Sequence, residues 1–158
     1  MTVYFLDSSA LVKRYISETG SDWVLGLFDL SLNNEVFIAA ITSVEIIAAI
    51  TRRCLRGTRS GSISITDATL TRNQFKSDLE KDYQIVEITE NIINSAMVLS
   101  ETYSLRGYDA IQLAVGRAVN TICIANGLTP ITFVSADNEL NTAVISEGLM
   151  IENPNSHT

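Results

Sequence analysis

The chain alternates short apolar runs with segments of helical periodicity, and this alternation constrains its fold more than any other feature of the sequence. Runs at 3–6, 35–40, 84–88, 131–134 and 149–151 are short, rich in Val, Ile and Phe, and bounded by polar or Gly-containing breaks, which predicts strands. Between them the spacing predicts helices over 8–15, 21–32, 66–82, 90–103, 108–126 and 136–146, and another that Thr42 or Ser43 caps and that runs to 55. Parallel neighbours need a crossover, usually a helix, so strands alternating with helices predict a mostly parallel sheet. The expectation is an α/β fold with roughly four to five central strands and about seven flanking helices. Residues 1–152 read as a single domain and 153–158 as a polar C-terminal tail.

The first strand carries a particular signal. The apolar run from Val3 stops at Asp7, and Ser8, Ser9 and a helix-forming segment follow. In open α/β sheets ligands bind outside the carboxyl ends of the strands, so Asp7 stands where chemistry is expected. An Asp or Ser there also serves as a helix N-cap. From this stretch alone, capping is the simpler account.

Bulk properties narrow the function. The chain is 46% hydrophobic and 18% charged, which is the balance of a packed domain. A net charge of -7 argues against a generic duplex-binding protein, which binds by neutralising phosphates. It leaves room for a nucleic-acid enzyme with metal ions and a local basic patch. Cys54 and Cys123 lack metal-ligand spacing and read as buried free thiols. The sole histidine, His157, lies in the tail, which leaves little scope for histidine catalysis. There is no signal-peptide pattern and no apolar run long enough to span a membrane, so a cytoplasmic location is expected.

Three further acids occupy settings like that of Asp7. Asp137 follows an apolar strand and a small polar turn at a helix start, where the helix dipole also favours an acid. Glu45 closes Thr42-Ser43-Val44-Glu45, a capping box that accounts for it without function. Its neighbours are nevertheless apolar, so it either caps or faces a polar pocket. Asp109 opens a long, nearly uncharged helix and is the only acid between Glu101 and Asp137. Brought together, Asp7, Glu45, Asp109 and Asp137 would raise one another's pKa values. A divalent cation removes that penalty. Carboxylates and water suit Mg2+ or Mn2+, whereas Zn2+ usually takes Cys or His. An acidic site of this kind points to metal-assisted phosphoryl chemistry.

These motifs resemble the PIN-domain ribonucleases, and among them the VapC-type toxins of toxin–antitoxin pairs. The likeness rests on Phe5-Leu6-Asp7-Ser8-Ser9-Ala10-Leu11-Val12-Lys13, Thr42-Ser43-Val44-Glu45, Tyr108-Asp109-Ala110-Ile111-Gln112-Leu113-Ala114 and Val134-Ser135-Ala136-Asp137. It implies a three-layer sandwich and a Mg2+- or Mn2+-dependent endoribonuclease acting on single-stranded or structured RNA. It further implies a homodimer and a protein antitoxin that blocks the site. Asp7, Glu45, Asp109 and Asp137 then correspond to the catalytic, metal-binding acids, and Ser9 to a polar residue near the metal. After Asp137 stand Asn138 and Glu139, where members of the family often carry a basic residue.

The basic residues are unevenly spread. Arg52, Arg53, Arg56 and Arg59 crowd the end of the third helix and its loop, with no acid between Glu45 and Asp67. They suit either a helix C-terminus or a phosphate-tracking patch, and Lys13, Arg14 and Arg106 are further RNA-binding candidates. Tyr108 reads as core packing, with base stacking as the alternative. Two other functions compete with nuclease action. One is a PIN-like module that binds RNA or protein without cleaving. The other is a haloacid-dehalogenase-type phosphatase, which needs a second acid where this chain has Ser9.

Overall fold

The computed structural model describes residues 1–55 and 62–157. Its strands are β1 (Val3–Leu6), β2 (Glu35–Ala39), β3 (Gln84–Val86), β4 (Thr132–Val134) and β5 (Met150–Glu152). They form one sheet in the order β3-β2-β1-β4-β5, and every neighbouring pair is parallel. Four helices, α1 (Ser8–Tyr15), α2 (Ser21–Gly26), α3 (Ala40–Leu55) and α4 (Ile65–Leu79), cover one face. The other face carries α5 (Glu90–Tyr103), α6 (Gly107–Ala125) and α7 (Asn138–Ser146). The architecture is the expected three-layer α/β sandwich.

The period of two along each strand divides the core. Val3 and Phe5 of β1, Phe37 and Ala39 of β2 and Phe133 of β4 point to the α5–α7 layer. Tyr4 and Leu6 of β1, Val36 and Ile38 of β2 and Val134 of β4 point to the α1–α4 layer. Central strands buried on both faces need continuous apolar runs, and that is why those runs were visible in the sequence. Beneath α6, Phe5 and Phe133 lie with ring centroids 5.0 Å apart. A Cβ placed on Gly116 would come within 2.6 Å of the Phe133 ring, so only glycine lets α6 settle this close.

Several boundaries depart from expectation for local reasons. β2 passes directly into α3 at Ala40, so Thr42 and Ser43 lie inside the helix and cap nothing. Once β2 has turned away, Glu87 and Ile88 have no neighbouring strand to pair with, and β3 ends at Val86. α2 stops at Gly26, and a separate 3-10 turn, Leu30–Leu32, begins at Asp29, whose side chain accepts from Ser31 N. Leu30, within the helix expected over 21–32, is 90% exposed. α4 spans Ile65–Leu79 rather than the expected 66–82, and Ser64 caps it by accepting from Asp67 N.

The C-terminal segment is seated on α2. Pro154 is buried, and the His157 ring stacks on Trp23 at 4.3 Å. Gly20, with φ +85°, leaves room for the Pro154 carbonyl. Cys123 is buried and Cys54 half-buried, both as free thiols. Among the described residues no helix is long and apolar enough to cross a membrane.

Arg14 ties α1 to the far end of α4. Its guanidinium bonds Asp82 at 2.6 Å and Tyr83 Oη at 2.6 Å, and it lies 3.8 Å from the Phe28 ring centroid. It also lies 3.6 Å from the buried Asp78 carboxylate, and removing the cation would leave that buried charge uncompensated. Arg14→Ala is expected to lower unfolding free energy by about 3 kcal/mol, as read from urea denaturation, while Arg14→Lys recovers only part because it cannot span both partners.

Candidate active site

The carboxyl ends of β1 and β4 lie side by side at the centre of the sheet. Asp7 N donates to Val134 O at 3.1 Å, which continues the ladder one residue past β1 and fixes the Asp7 backbone. The Asp7 side chain caps α1, accepting from Ala10 N at 2.9 Å. It also accepts from Ser9 Oγ at 2.7 Å. Ser9 Oγ in turn accepts from Ala136 N at 2.9 Å, joining the β1 end to the β4 turn. Asp137 caps α7, accepting from Glu139 N and Leu140 N. Capping is therefore real for both aspartates.

Glu45 has a different role from the one its local sequence suggests. With α3 starting at Ala40, its carboxylate does not reach back to a cap. One oxygen accepts from Ser8 Oγ at 2.8 Å and the other from Gln112 Nε2 at 3.1 Å. Gln112 Nε2 also donates to the buried Thr42 Oγ1 at 2.8 Å. A pair of elements remote in sequence thus holds Glu45 toward the β1 end.

Asp7, Glu45, Asp109 and Asp137 all line one open cavity of about 300 Å3, together with Ser8, Ser9 and Val12. Asp7 is only 3% exposed. Burial pushes its carboxyl up to about 6 against the hydrogen bonds that favour the charged form. Burial also raises Asp109, and the nearby Asp137 and Glu45 add to that, whereas the Arg106 guanidinium opposes it. Acids held together at such cost are ones whose charged forms a bound cation would favour. The donors are all hard oxygens, which suit Mg2+ or Mn2+. Among the described residues no three His, Cys, Asp or Glu side chains stand close enough to enclose an ion by themselves. Mg2+ does not require enclosure, since it usually keeps several waters and takes one or two carboxylates.

The sequence matches the PIN domain family over residues 4–141. The chain belongs to the PIN-domain family. Solved structures share this fold at low identity. A "Toxin-antitoxin complex from Klebsiella pneumoniae" aligns with TM-score 0.61 at 14% identity, covering 96% of this chain and 97% of that one. VapBC2 from Rickettsia felis, solved bound to a DNA fragment from its promoter, gives 0.54 at 16%, covering 96% and 98%. Mycobacterium tuberculosis VapC20, described as a sarcin-ricin loop cleaving toxin, gives 0.57 at 13%, covering 89% and 94%. No curated protein sequence matches the chain significantly.

The basic candidates fare unevenly in this PIN domain. Lys13 is 5% exposed and bonds Glu18 at 3.1 Å, which commits its ammonium to an internal ion pair. Arg53 bonds the same Glu18, and Arg14 is committed to Asp82. Arg52 and Arg106 are exposed. Arg56 and Arg59 lie outside the described residues. Tyr108 is 60% exposed and does not pack in the core.

The sequence did not single out Gln112, Ser8 or Ser135, whose hydroxyl lies 3.3 Å from Ser9 Oγ and accepts from Asp137 N at 3.1 Å. Gln112 carried a usable signal, because an amide within the apolar run of α6 must find partners when buried. Gln112→Leu is expected to leave Thr42 and Glu45 without their donor. Stability should fall by about 1–2 kcal/mol, and Mn2+ affinity roughly 10-fold or more, as removal of an orienting hydrogen bond does at metal sites. Calorimetry of metal binding on the folded variant separates the two effects.

Proposed function

We propose that this PIN-domain protein is a Mg2+- or Mn2+-dependent endoribonuclease and the toxin of a toxin–antitoxin pair. The observation that carries the reading is the convergence of Asp7, Glu45, Asp109 and Asp137 on one cavity at the carboxyl edge of a parallel sheet. Family membership supports nuclease chemistry. The Klebsiella and Rickettsia neighbours support a protein antitoxin, and the Mycobacterium neighbour supports RNA as substrate. A homodimer, as the family resemblance implies, completes the proposal.

In this reading Asp7, with Asp109, Glu45 and Asp137 around it, holds the divalent ion. When bound, the ion activates water and offsets charge on the phosphodiester. The chain's own residues prepare that site. Ser9 and the Ala10 amide fix Asp7 while leaving its second oxygen, Oδ2, free of both bonds. Ser8 and Gln112 orient Glu45. The family resemblance implies that water would attack the phosphorus in line and that the P–O3′ bond would break, leaving 5′-phosphate and 3′-hydroxyl ends. A phosphatase of the haloacid-dehalogenase type needs an acid at position 9, and the hydroxyl there is committed to Asp7 and Ala136.

The purified chain, free of antitoxin, is expected to cut RNA with Mg2+ or Mn2+ and to stop with EDTA. Intact RNA across total cellular RNA and synthetic stem-loops, at millimolar Mn2+, would contradict the proposal and favour a silent binding module.

A further inference from the structure

Beside the acidic cavity lies a second hollow of about 420 Å3, and the pair share Glu45 and Ala49. Its floor is a stripe of α3, with Ile41, Val44 and Ala48 presented at helical spacing and Arg52 at the far end. Tyr108, adjacent to Asp109 at the start of α6, forms the opposite rim. Val44 is 69% and Tyr108 60% exposed, although both are large side chains that local packing could have covered. Among the described residues Arg52 has no ion-pair partner, whereas Lys13, Arg14, Arg53 and Arg117 are each paired with an acid.

We propose that this hollow receives an unpaired nucleobase of the RNA, on a nucleotide flanking the cleaved bond, with Tyr108 stacking on the base and Arg52 meeting a phosphate beyond it. The inference rests on the nuclease reading and adds how the substrate is positioned. An apolar wall with one exposed aromatic ring and one unpaired guanidinium is the combination that holds single strands, because every base offers a π-face and the backbone needs a cation. Continuity with the acids fixes which part of the RNA arrives there. Arg52 stands seven residues beyond Glu45 in the sequence, roughly 10 Å along the helix, a short step along a phosphate backbone. On a chain of net charge -7, a cation at the rim of an acidic cavity gives the strand a direction of approach. A duplex would keep its bases stacked away from such a slot, so the substrate at this point is single-stranded or splayed.

The test uses short unstructured oligoribonucleotides that the wild-type chain cleaves. Tyr108→Ala is expected to lower kcat/KM roughly 5- to 100-fold, mainly through KM, and Tyr108→Phe to stay within about threefold of wild type. Arg52→Ala is expected to weaken binding and reduce its salt dependence. In an Asp7→Asn background, 2-aminopurine placed in turn at each flanking nucleotide should be quenched on binding at one position, and Tyr108→Ala should remove that quenching. Loss of a merely structural tyrosine would not give a position-specific signal. Equal cleavage by wild type and Tyr108→Ala, with quenching unchanged, would overturn the slot while leaving the nuclease reading intact. A wild-type chain that cuts no RNA would overturn both.

Discussion

Asp7→Asn is expected to abolish RNA cleavage and, at the same time, to stabilise the metal-free protein at neutral pH. The loss of activity, on the order of a thousand-fold or to background, follows from removing the most buried acid of the cavity. The gain in stability follows from linkage. An aspartate in the unfolded chain titrates near 3.9, whereas burial pushes Asp7 up to about 6 in the fold. Between those values the folded state binds more protons than the unfolded state. Stability therefore falls as pH rises through that window and stays lower above it. The cost at pH 7 is on the order of 1–3 kcal/mol. Asparagine removes the charge but keeps an oxygen to accept from Ala10 N, so the α1 cap survives. Thermal scans from pH 4 to 8 should show the difference in Tm, variant minus wild type, rising as pH passes through the window. Added Mn2+ should restore the wild type and leave the variant unmoved. A variant less stable than wild type at pH 7 would mean that the charged carboxylate is satisfied without a cation.

Phe133→Ala is expected to produce the largest loss of stability, about 3–5 kcal/mol by urea denaturation. Phe133 is fully buried, packs on Phe5 and lies against Gly116 at the closest approach of α6 to the sheet. Gly116→Ala approaches the same contact from the other side. Its methyl group would stand 2.6 Å from the Phe133 ring, and overpacking of that kind costs about 1–3 kcal/mol. The pair should be strongly non-additive, since shortening the ring creates room for the methyl. Gly116→Ala combined with Phe133→Leu is expected to be more stable than the sum of the single changes. Phe5 lies in β1 two residues before Asp7, and Phe133 in β4 four residues before Asp137, so the contact joins the two strands that lead to these acids.

The parts of this fold that could be read from sequence are those set by local pattern. Asp7 and Asp137 each follow an apolar run, and a fully buried strand has no other way to be written. Asp109 stood out because α6 is otherwise nearly uncharged. Glu45 shows where local pattern misleads. Thr-x-x-Glu is a capping box only if a helix starts at the Thr, and β2 hands over to α3 two residues earlier. The cations were least legible. Whether Lys13 or Arg53 faces RNA depends on Glu18, and whether Arg14 does depends on Asp82, partners that only the tertiary fold brings near. Tyr108 could not be placed by periodicity, because in the first turn of α6 the core-facing stripe begins only at Ala110. The strand order also lay beyond the alternation pattern, which fixes parallel pairing but not which strand is central.

The central claim is that the acids lining the cavity form one hard-oxygen metal site. Its most direct test is calorimetric titration of Mn2+ into the purified chain at pH 7.5, alongside Asp7→Asn. The account predicts saturable binding by the wild type that is lost in the variant and weakens as pH falls through about 6, where Asp7 takes up its proton. No binding at millimolar Mn2+, or binding that Asp7→Asn leaves unchanged, would contradict it.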